Sequence, residues 1–181
     1  MRHSATIGVV EHAIMSSSMV RVSYLELLQA PAPIQIRLGD ERISAERIPV
    51  DEYLNLYGRV GRPLGWDQRL TMPRSELAFL LDSERSQIYI MRDRQGEALG
   101  LCEFERSLPE IELKNFGLVP EAQGRGLGSW LLRTALHHEW TLQPSRIWLH
   151  TDDWDHPAAL RLYENAGFRT YRVREQPPGD L

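Results

Sequence analysis

The stretch LVPEAQGRGLGSWLL, residues 118–132, places three glycines within five positions and continues at once into an apolar run typical of a helix. We call residues 123–129 the glycine elbow. A strand that turns this sharply into a helix leaves several backbone amides unpaired, with the positive end of the helix dipole behind them. Glycines let a ligand approach the backbone closely, so the expected ligand is a diphosphate. The alternative is a tight turn whose glycines serve only helix packing.

Two common phosphate-binding motifs do not fit the glycine elbow. GRGLG spaces its glycines as GxGxG, whereas the dinucleotide fingerprint requires GxGxxG. A Walker loop requires a lysine followed by Ser or Thr after the last glycine, but Ser129 follows Gly128 without any lysine. The elbow therefore predicts an anion site of another kind.

Composition limits the class of protein. The chain has 181 residues and 42% hydrophobic content, which predicts one domain over residues 20–181 after a flexible tail at 1–19. A net charge of −4 argues against a nucleic-acid partner. Cys102 is the only cysteine, so we expect a buried structural thiol in a reducing compartment. No apolar run is long enough for a membrane span and no signal peptide is evident, so we expect a cytoplasmic protein. The sequence leaves open whether it is a monomer or a homodimer.

Hydrophobic periodicity predicts a mixed α/β order. Helices are expected at 49–60 with Asp51 as cap, at 73–83, from Gly126 to about Trp140, and at 157–165 with Pro157 at its first position. Strands are expected at 20–27, 86–93, 99–106, 110–119, 146–151 and 168–175, and residues 61–70 are read as a loop. The second half thus contains a strand, a glycine-rich turn, a helix and a strand.

Two motifs resemble the GNAT N-acetyltransferase superfamily. VPEAQGRGLGSWLL resembles its acetyl-CoA signature Q/R-x-x-G-x-G/A, with Gln123, Gly126 and Gly128 at the defining places. DHPAALRLYENAGF, residues 155–168, resembles the superfamily's N-x-x-A-x-x-x-Y-E-x-x-G-F helix and strand, in a variant known from a bacterial subgroup. The resemblance covers residues 86–175, while the first 80 residues match only as a strand followed by two helices.

The resemblance implies a three-layer α/β fold. Its mixed, mostly antiparallel sheet would be flanked by about four helices and splayed between the fourth and fifth strands, where acetyl-CoA would lie. Phe116 to Leu118 would pair with the pantetheine arm, and a bulge near Gly117 would turn the Leu118 amide toward the thioester carbonyl. The diphosphate would be held by the backbone of Gln123, Gly124, Arg125, Gly126, Leu127, Gly128 and Ser129.

Acyl transfer to an amine requires a base, because an amine with a pKa near 10.4 is only about 0.04% neutral at pH 7. Glu112, eleven positions before Gln123, is the first candidate, since some members of the superfamily place their catalytic glutamate there. Glu103 and Glu105 are the substitutes. The alternative for Glu112 is a solvent-facing charge on a half-exposed strand.

Tyr163 matches the family tyrosine whose hydroxyl lies near the CoA sulfur and stabilises the departing thiolate. Its helical spacing fits an ordinary core tyrosine equally well. His156 stands where the family usually has a cofactor-contacting asparagine, so it is expected to bond the cofactor, line the acceptor pocket or lie at the helix start. His150, Asp152, Asp153 and His156 match no familiar metal-ligand spacing, and no metal is expected.

The expected activity is transfer of acetyl from acetyl-CoA to a primary amine by direct attack in a ternary complex. One alternative, still catalytic, is transfer of a longer acyl group or modification of a protein N-terminus or lysine. The other is a non-catalytic acetyl-CoA-binding module. By family analogy, Tyr53, Tyr57, Trp66 and Glu103 are expected near the acceptor, which would be an amine-bearing small molecule or peptide.

Overall fold

The computed structural model describes residues 19–32 and 39–177. The predicted flexible tail, residues 1–19, lies outside this part except for Met19. The strands of the described part are β1 Val20–Leu27, β2 Arg42–Ala45, β3 Ser86–Arg92, β4 Ala98–Ser107, β5 Glu110–Leu118, β6 Arg146–Asp152 and β7 Arg169–Gln176. Its α-helices are α1 Val50–Gly61, α2 Gln68–Thr71, α3 Arg74–Asp82, α4 Leu127–Trp140 and α5 Ala159–Asn165.

The strands form one sheet in the order β2-β3-β4-β5-β6-β1-β7. Every neighbouring pair is antiparallel except β5 and β6, which are parallel because α4 carries the chain across between them. This parallel pairing covers only Glu110–Glu112 and Arg146–Trp148. Beyond it β5 and β6 separate. These two are the fourth and fifth of the predicted strands, between which the resemblance implied a splay.

A β-bulge begins the separation. Glu103 faces Asn115 and Phe104 faces Leu113, so Lys114 is the extra residue in β5. A bulge bends its strand, and this one lies only two positions after Glu112, the last residue of β5 that pairs with β6. The bulge expected near Gly117 is therefore at Lys114. Gly117 serves close packing instead, because a Cβ there would lie 2.4 Å from Val60 Cγ1 of α1.

Helices cover the two faces of the sheet. Tyr53 of α1 contacts Glu103 on one face, whereas Glu139 of α4 accepts a hydrogen bond from Tyr89 on the other. Side chains of a strand alternate between faces, so the fully buried Leu101 and Cys102 pack into different layers of the core. The result is the three-layer arrangement that the resemblance implied.

Four local predictions differ from the structure. Helix α1 begins at Val50 after Pro49, so Asp51 lies inside its first turn and is not the cap. Helix α5 begins at Ala159, two residues after Pro157. The segment read as a loop, 61–70, includes all but the last residue of the single turn α2, and β2 was not predicted. Both additions are too short for hydrophobic periodicity to reveal.

Candidate active site

A cavity of about 720 Å³ lies where β5 and β6 separate. Because the strands part there, the cavity is reached from both faces of the sheet. The residues that line it on the α1 face are Tyr57, Val60, residues 64–68, Asn115 and Gly117. Those that line it on the α4 face are Phe116, Leu118, Gly128, Ser129, Ala159, Leu162 and Tyr163. Two molecules that enter from opposite faces would therefore meet at the gap.

The glycine elbow forms one end of the cavity. Gly124 and Gly126 have φ angles of 72° and 74°, in the left-handed region that favours glycine. Gly126 is the N-cap of α4 and no side chain caps this helix, so its first amides are turned toward the end of the cavity without an intrahelical partner. An anion is the ligand that such a helix start attracts.

Elbow residues differ in their position relative to the cavity. Gln123, Gly124, Gly126, Gly128 and Ser129 line it. Leu127 is fully buried in the core, and the Arg125 side chain turns outward to pair with Glu41 at 2.6 Å. Any contact of these two residues with a ligand would therefore be made by the backbone, as the sequence prediction assumed.

The free edge of β5 supplies backbone groups to the cavity. The Val119 amide donates to the Leu99 carbonyl of β4 at 2.9 Å, and Gly117 is paired with Leu101. Backbone groups of successive residues in a strand point in opposite directions, so the amides of Phe116 and Leu118 face the gap. An extended ligand arm can pair with this edge as an added strand would.

Tyr163 reaches the cavity from α5. Its ring packs edge-on against Phe116 and Phe168, with 6.0 Å between centroids in both pairs. Burial, reinforced by the negative charge of Asp155, raises the pKa of the phenol well above its ordinary value. In the described part of the chain its hydroxyl has no hydrogen-bond partner, unlike the buried Tyr53 and Tyr89 hydroxyls, which donate to glutamates. The Tyr163 hydroxyl is thus a proton-bearing donor that is free for a ligand.

A hydrogen bond joins two loops of the cavity wall. Trp66 Nε1 donates to Asp155 Oδ1 at 3.4 Å, and the other Asp155 oxygen accepts from the Thr151 hydroxyl at 2.6 Å. His156, which also lines the cavity, accepts a hydrogen bond from the Ala158 amide at Nδ1. His156 therefore organises the start of α5 and leaves Nε2 as its donor.

Glu103 lies behind the cavity wall and is only 1% exposed. Its carboxylate accepts hydrogen bonds from Tyr53 at 2.5 Å, Arg69 at 2.7 Å and Asn115 at 2.8 Å. Of these four residues only Asn115 lines the cavity. Glu103 and Tyr53, expected near the acceptor, thus fix Asn115 from behind rather than facing the cavity.

Glu112 and Glu105, the other glutamates considered as bases, line a smaller groove on the α1 face together with Trp148. Glu105 pairs with Arg85 at 2.8 Å. Glu112 Oε1 accepts a hydrogen bond from Lys114 at 3.1 Å and lies 3.8 Å from Nδ1 of His150. His150 and Lys114 line the main cavity, whereas Glu112 does not.

The sequence prediction missed several residues of the cavity wall, among them Lys114, Asn115 and Trp154. It considered His150 and Asp152, which also line the cavity, only as possible metal ligands. The signal was present in RIWLHTD, whose alternation puts Trp148, His150 and Asp152 on one face of β6. Burial raises the pKa of the Asp152 carboxyl above its ordinary value.

Two further findings apply to residues 19–32 and 39–177. Within them, no three histidine, cysteine or acidic side chains are arranged to hold a metal ion. None of the helices formed by these residues has the length and apolar character needed to span a membrane.

Comparison with known proteins relates part of this chain to acetyltransferases. The mycothiol acetyltransferase of Streptomyces griseus is 35% identical over 89 residues, 47% of this chain and 28% of the relative. That of Thermomonospora curvata is 44% identical over 65 residues, 36% of this chain and 22% of the relative. The matches thus span about a quarter of the length of these curated relatives.

Solved structures share the fold over more of the chain. A GCN5-related N-acetyltransferase from Sphaerobacter thermophilus has a TM-score of 0.64 at 18% identity, covering 89% of this chain and 53% of that one. The ribosomal-protein-S18-alanine N-acetyltransferase from Escherichia coli has a TM-score of 0.57 at 21% identity, covering 70% of this chain and 76% of that one. Residues 51–168 match the Acetyltransferase (GNAT) family. The chain therefore belongs to the GNAT family of acetyltransferases, enzymes that use acetyl-CoA as cosubstrate.

Proposed function

We propose that this protein transfers the acetyl group of acetyl-CoA to a primary amine by direct attack in a ternary complex, without a covalent acyl-enzyme. The observation that carries this proposal is the cavity between β5 and β6, lined by residues of both faces of the sheet, with the glycine elbow at one end. Such a cavity gives the two substrates separate entrances and one meeting point.

Acetyl-CoA fits the groups of the α4 face. The amides from Gln123 to Ser129 would hold the diphosphate, where left-handed glycines leave the backbone bare. Phe116 and Leu118 would pair with the pantetheine arm along the free edge of β5. The Leu118 amide, directed into the gap, would donate to the thioester oxygen as negative charge develops on it.

The acceptor amine must lose a proton before it attacks. Only about 0.04% of such an amine is neutral at pH 7, so deprotonating it costs roughly 4 to 5 kcal/mol of free energy. A nearby proton acceptor reduces this cost. Glu112 lies behind His150 at 3.8 Å, so this pair is the candidate proton acceptor. The neutral amine then attacks the thioester carbonyl, and the C–S bond breaks.

Tyr163 would assist the leaving group. Its hydroxyl is protonated, because burial raises the pKa of the phenol. In the described part of the chain, no protein group accepts a hydrogen bond from it. A hydrogen bond from this hydroxyl stabilises the CoA thiolate as charge accumulates on sulfur. Full transfer of the phenol proton is unfavourable, since a thiolate is the weaker base, so hydrogen bonding is the main contribution.

The α1 face would receive the acceptor. Tyr57 and Trp66 supply aromatic surface there, and Asp67 and Asp152 supply negative charge that favours an ammonium group. The names of the relatives refer to mycothiol in one case and to the alanine of a ribosomal protein in another, so the acceptor screen must include small amines and peptides.

Calorimetry with CoA, followed by thiol release from acetyl-CoA, tests the proposal. The amine panel should contain an arylalkylamine, a polyamine, an amino sugar and an alanine-terminated peptide. Gly126→Val should abolish CoA binding because the side chain would occupy the place of the diphosphate. Gly96→Val is the matched control, since Gly96 has φ 90° in an exposed turn and does not line the cavity.

In the control variant CoA affinity should equal that of the wild type. Unchanged affinity in folded Gly126→Val would remove the diphosphate assignment. CoA binding without thiol release for any amine of the panel would favour the non-catalytic binding module instead.

A further inference from the structure

Provided that the proposed acetyl transfer holds, we propose that His150 accepts the proton of the acceptor ammonium and that Glu112 positions the imidazole. Glu112 is then not the direct base that the sequence predicted. The proposal names a catalytic residue in the cavity and gives the glutamate behind it a different role.

The position of the two side chains supports this division. His150 lines the cavity and its side chain is 37% exposed, whereas Glu112 is 14% exposed and lines only the neighbouring groove. An amine inside the cavity would meet the imidazole first. The Glu112 oxygen nearest to His150 also accepts a hydrogen bond from the Lys114 ammonium, which leaves that oxygen less available as a proton acceptor.

The register of the sheet explains why the pair forms at the gap. Glu112 faces Trp148, the last paired position of β5 and β6, and His150 follows two residues later on the same face of β6. His150 therefore lies just past the separation, beside the carboxylate that ends the pairing. The distance of 3.8 Å is longer than a hydrogen bond, as is common before a substrate binds.

The imidazole can hold and release a proton in this position. With Nδ1 toward Glu112, the tautomer that donates Nδ1–H to the carboxylate leaves Nε2 unprotonated for the amine. The charged and titratable groups around the ring are Glu112 and Lys114 of β5, Asp152 of β6, Tyr24 of β1 at 6.0 Å between centroids, and Arg174 of β7 beyond the Tyr24 ring.

The proton balance is complete. Nε2 of His150 takes one proton from the ammonium, and the freed lone pair forms the C–N bond. When the C–S bond breaks, the second nitrogen proton passes to the thiolate, so the products are the amide and the CoA thiol. His150 then releases its proton to solvent through the exposed side of its ring. The net reaction yields one proton in solution.

Replacement of His150 by alanine is the first test, with His150→Gln as a second variant should the alanine protein not fold. The probe is acetyl-CoA with whichever amine of the panel the wild type acetylates fastest. Because the imidazole supplies free amine, kcat/KM should fall roughly 100-fold at pH 7 and approach the wild-type value at pH 9.5, where free amine is abundant. CoA affinity should be unchanged.

His138→Ala is the matched control. His138 is exposed on α4 and stacks on Tyr89, outside the cavity, so wild-type kinetics are expected. A His150 variant with wild-type kcat/KM at both pH values overturns the proposal, and so does a loss of equal size at both, which would indicate a structural role. If the wild type itself releases no thiol with any amine, acetyl transfer fails rather than the choice of base.

Imidazole nitrogen NMR tests the positioning role of Glu112 without turnover. In the wild-type protein with CoA bound, His150 should carry its proton on Nδ1 when neutral. Glu112→Gln should shift this equilibrium toward the Nε2–H form and lower kcat with KM nearly unchanged. The same tautomer in both proteins would show that Glu112 does not position the ring.

Discussion

Replacing Tyr163 by phenylalanine separates chemistry from stability. In the described part of the chain the Tyr163 hydroxyl bonds no protein group, so its removal should change the free energy of unfolding by less than about 0.5 kcal/mol. The same hydroxyl is proposed to stabilise the CoA thiolate. A hydrogen bond to a charged group contributes about 1.5 to 3 kcal/mol, which corresponds to a decrease in kcat of roughly 10- to 150-fold.

Tyr89 provides the matched control with the opposite expectation. Its buried hydroxyl donates to Glu139 at 2.8 Å, and neither residue lines the cavity. Tyr89→Phe should therefore lower the free energy of unfolding by about 1.5 to 3 kcal/mol and leave kcat unchanged. The assays are urea denaturation and thiol release at saturating acetyl-CoA.

Alkaline pH adds a check on Tyr163. Its folded-state pKa is raised above the ordinary value of 10.0, so the phenol keeps its proton up to that pH and beyond. Between pH 8 and pH 10, kcat should not fall through loss of this donor. Full activity in Tyr163→Phe, or a fall in stability as large as that of Tyr89→Phe, would refute the leaving-group role and return Tyr163 to core packing.

Three more predictions concern stability and reactivity. Arg69→Met leaves a buried carboxylate without its cation, so it should lower the free energy of unfolding by about 3 to 5 kcal/mol in urea denaturation. Arg85→Met breaks an exposed pair of similar length and should lower it by less than about 1 kcal/mol. Equal losses in the two variants would contradict this reasoning. Gly117→Ala should destabilise by roughly 1 to 3 kcal/mol because its methyl group meets Val60, and added Val60→Ala should restore part of the loss. Cys102 is fully buried and burial raises the pKa of its thiol, so a thiol reagent should label it only as fast as the protein unfolds; rapid labelling of native protein would disprove this.

Much of the fold was predictable because it depends on local periodicity. Helix α4 and strand β5 are long enough for apolar spacing to reveal them, and the glycine elbow between them carries its own conformational requirement at Gly124 and Gly126. The single turn α2 and the four-residue β2 were not predictable, because segments of that length contain too few residues to show a period.

The sequence by itself determined the family, the position of the glycine elbow and the tyrosine of the last helix, since each depends on contiguous residues with fixed spacing. Only the tertiary structure decided which glutamate faces which neighbour. Glu103 and Glu112 look alike in alternating strands, but one is buried against Arg69 and the other lies beside His150, 38 residues away in the chain. That difference depends on the bulge at Lys114 and on the short parallel register of β5 and β6, both of which arise from pairing between distant segments.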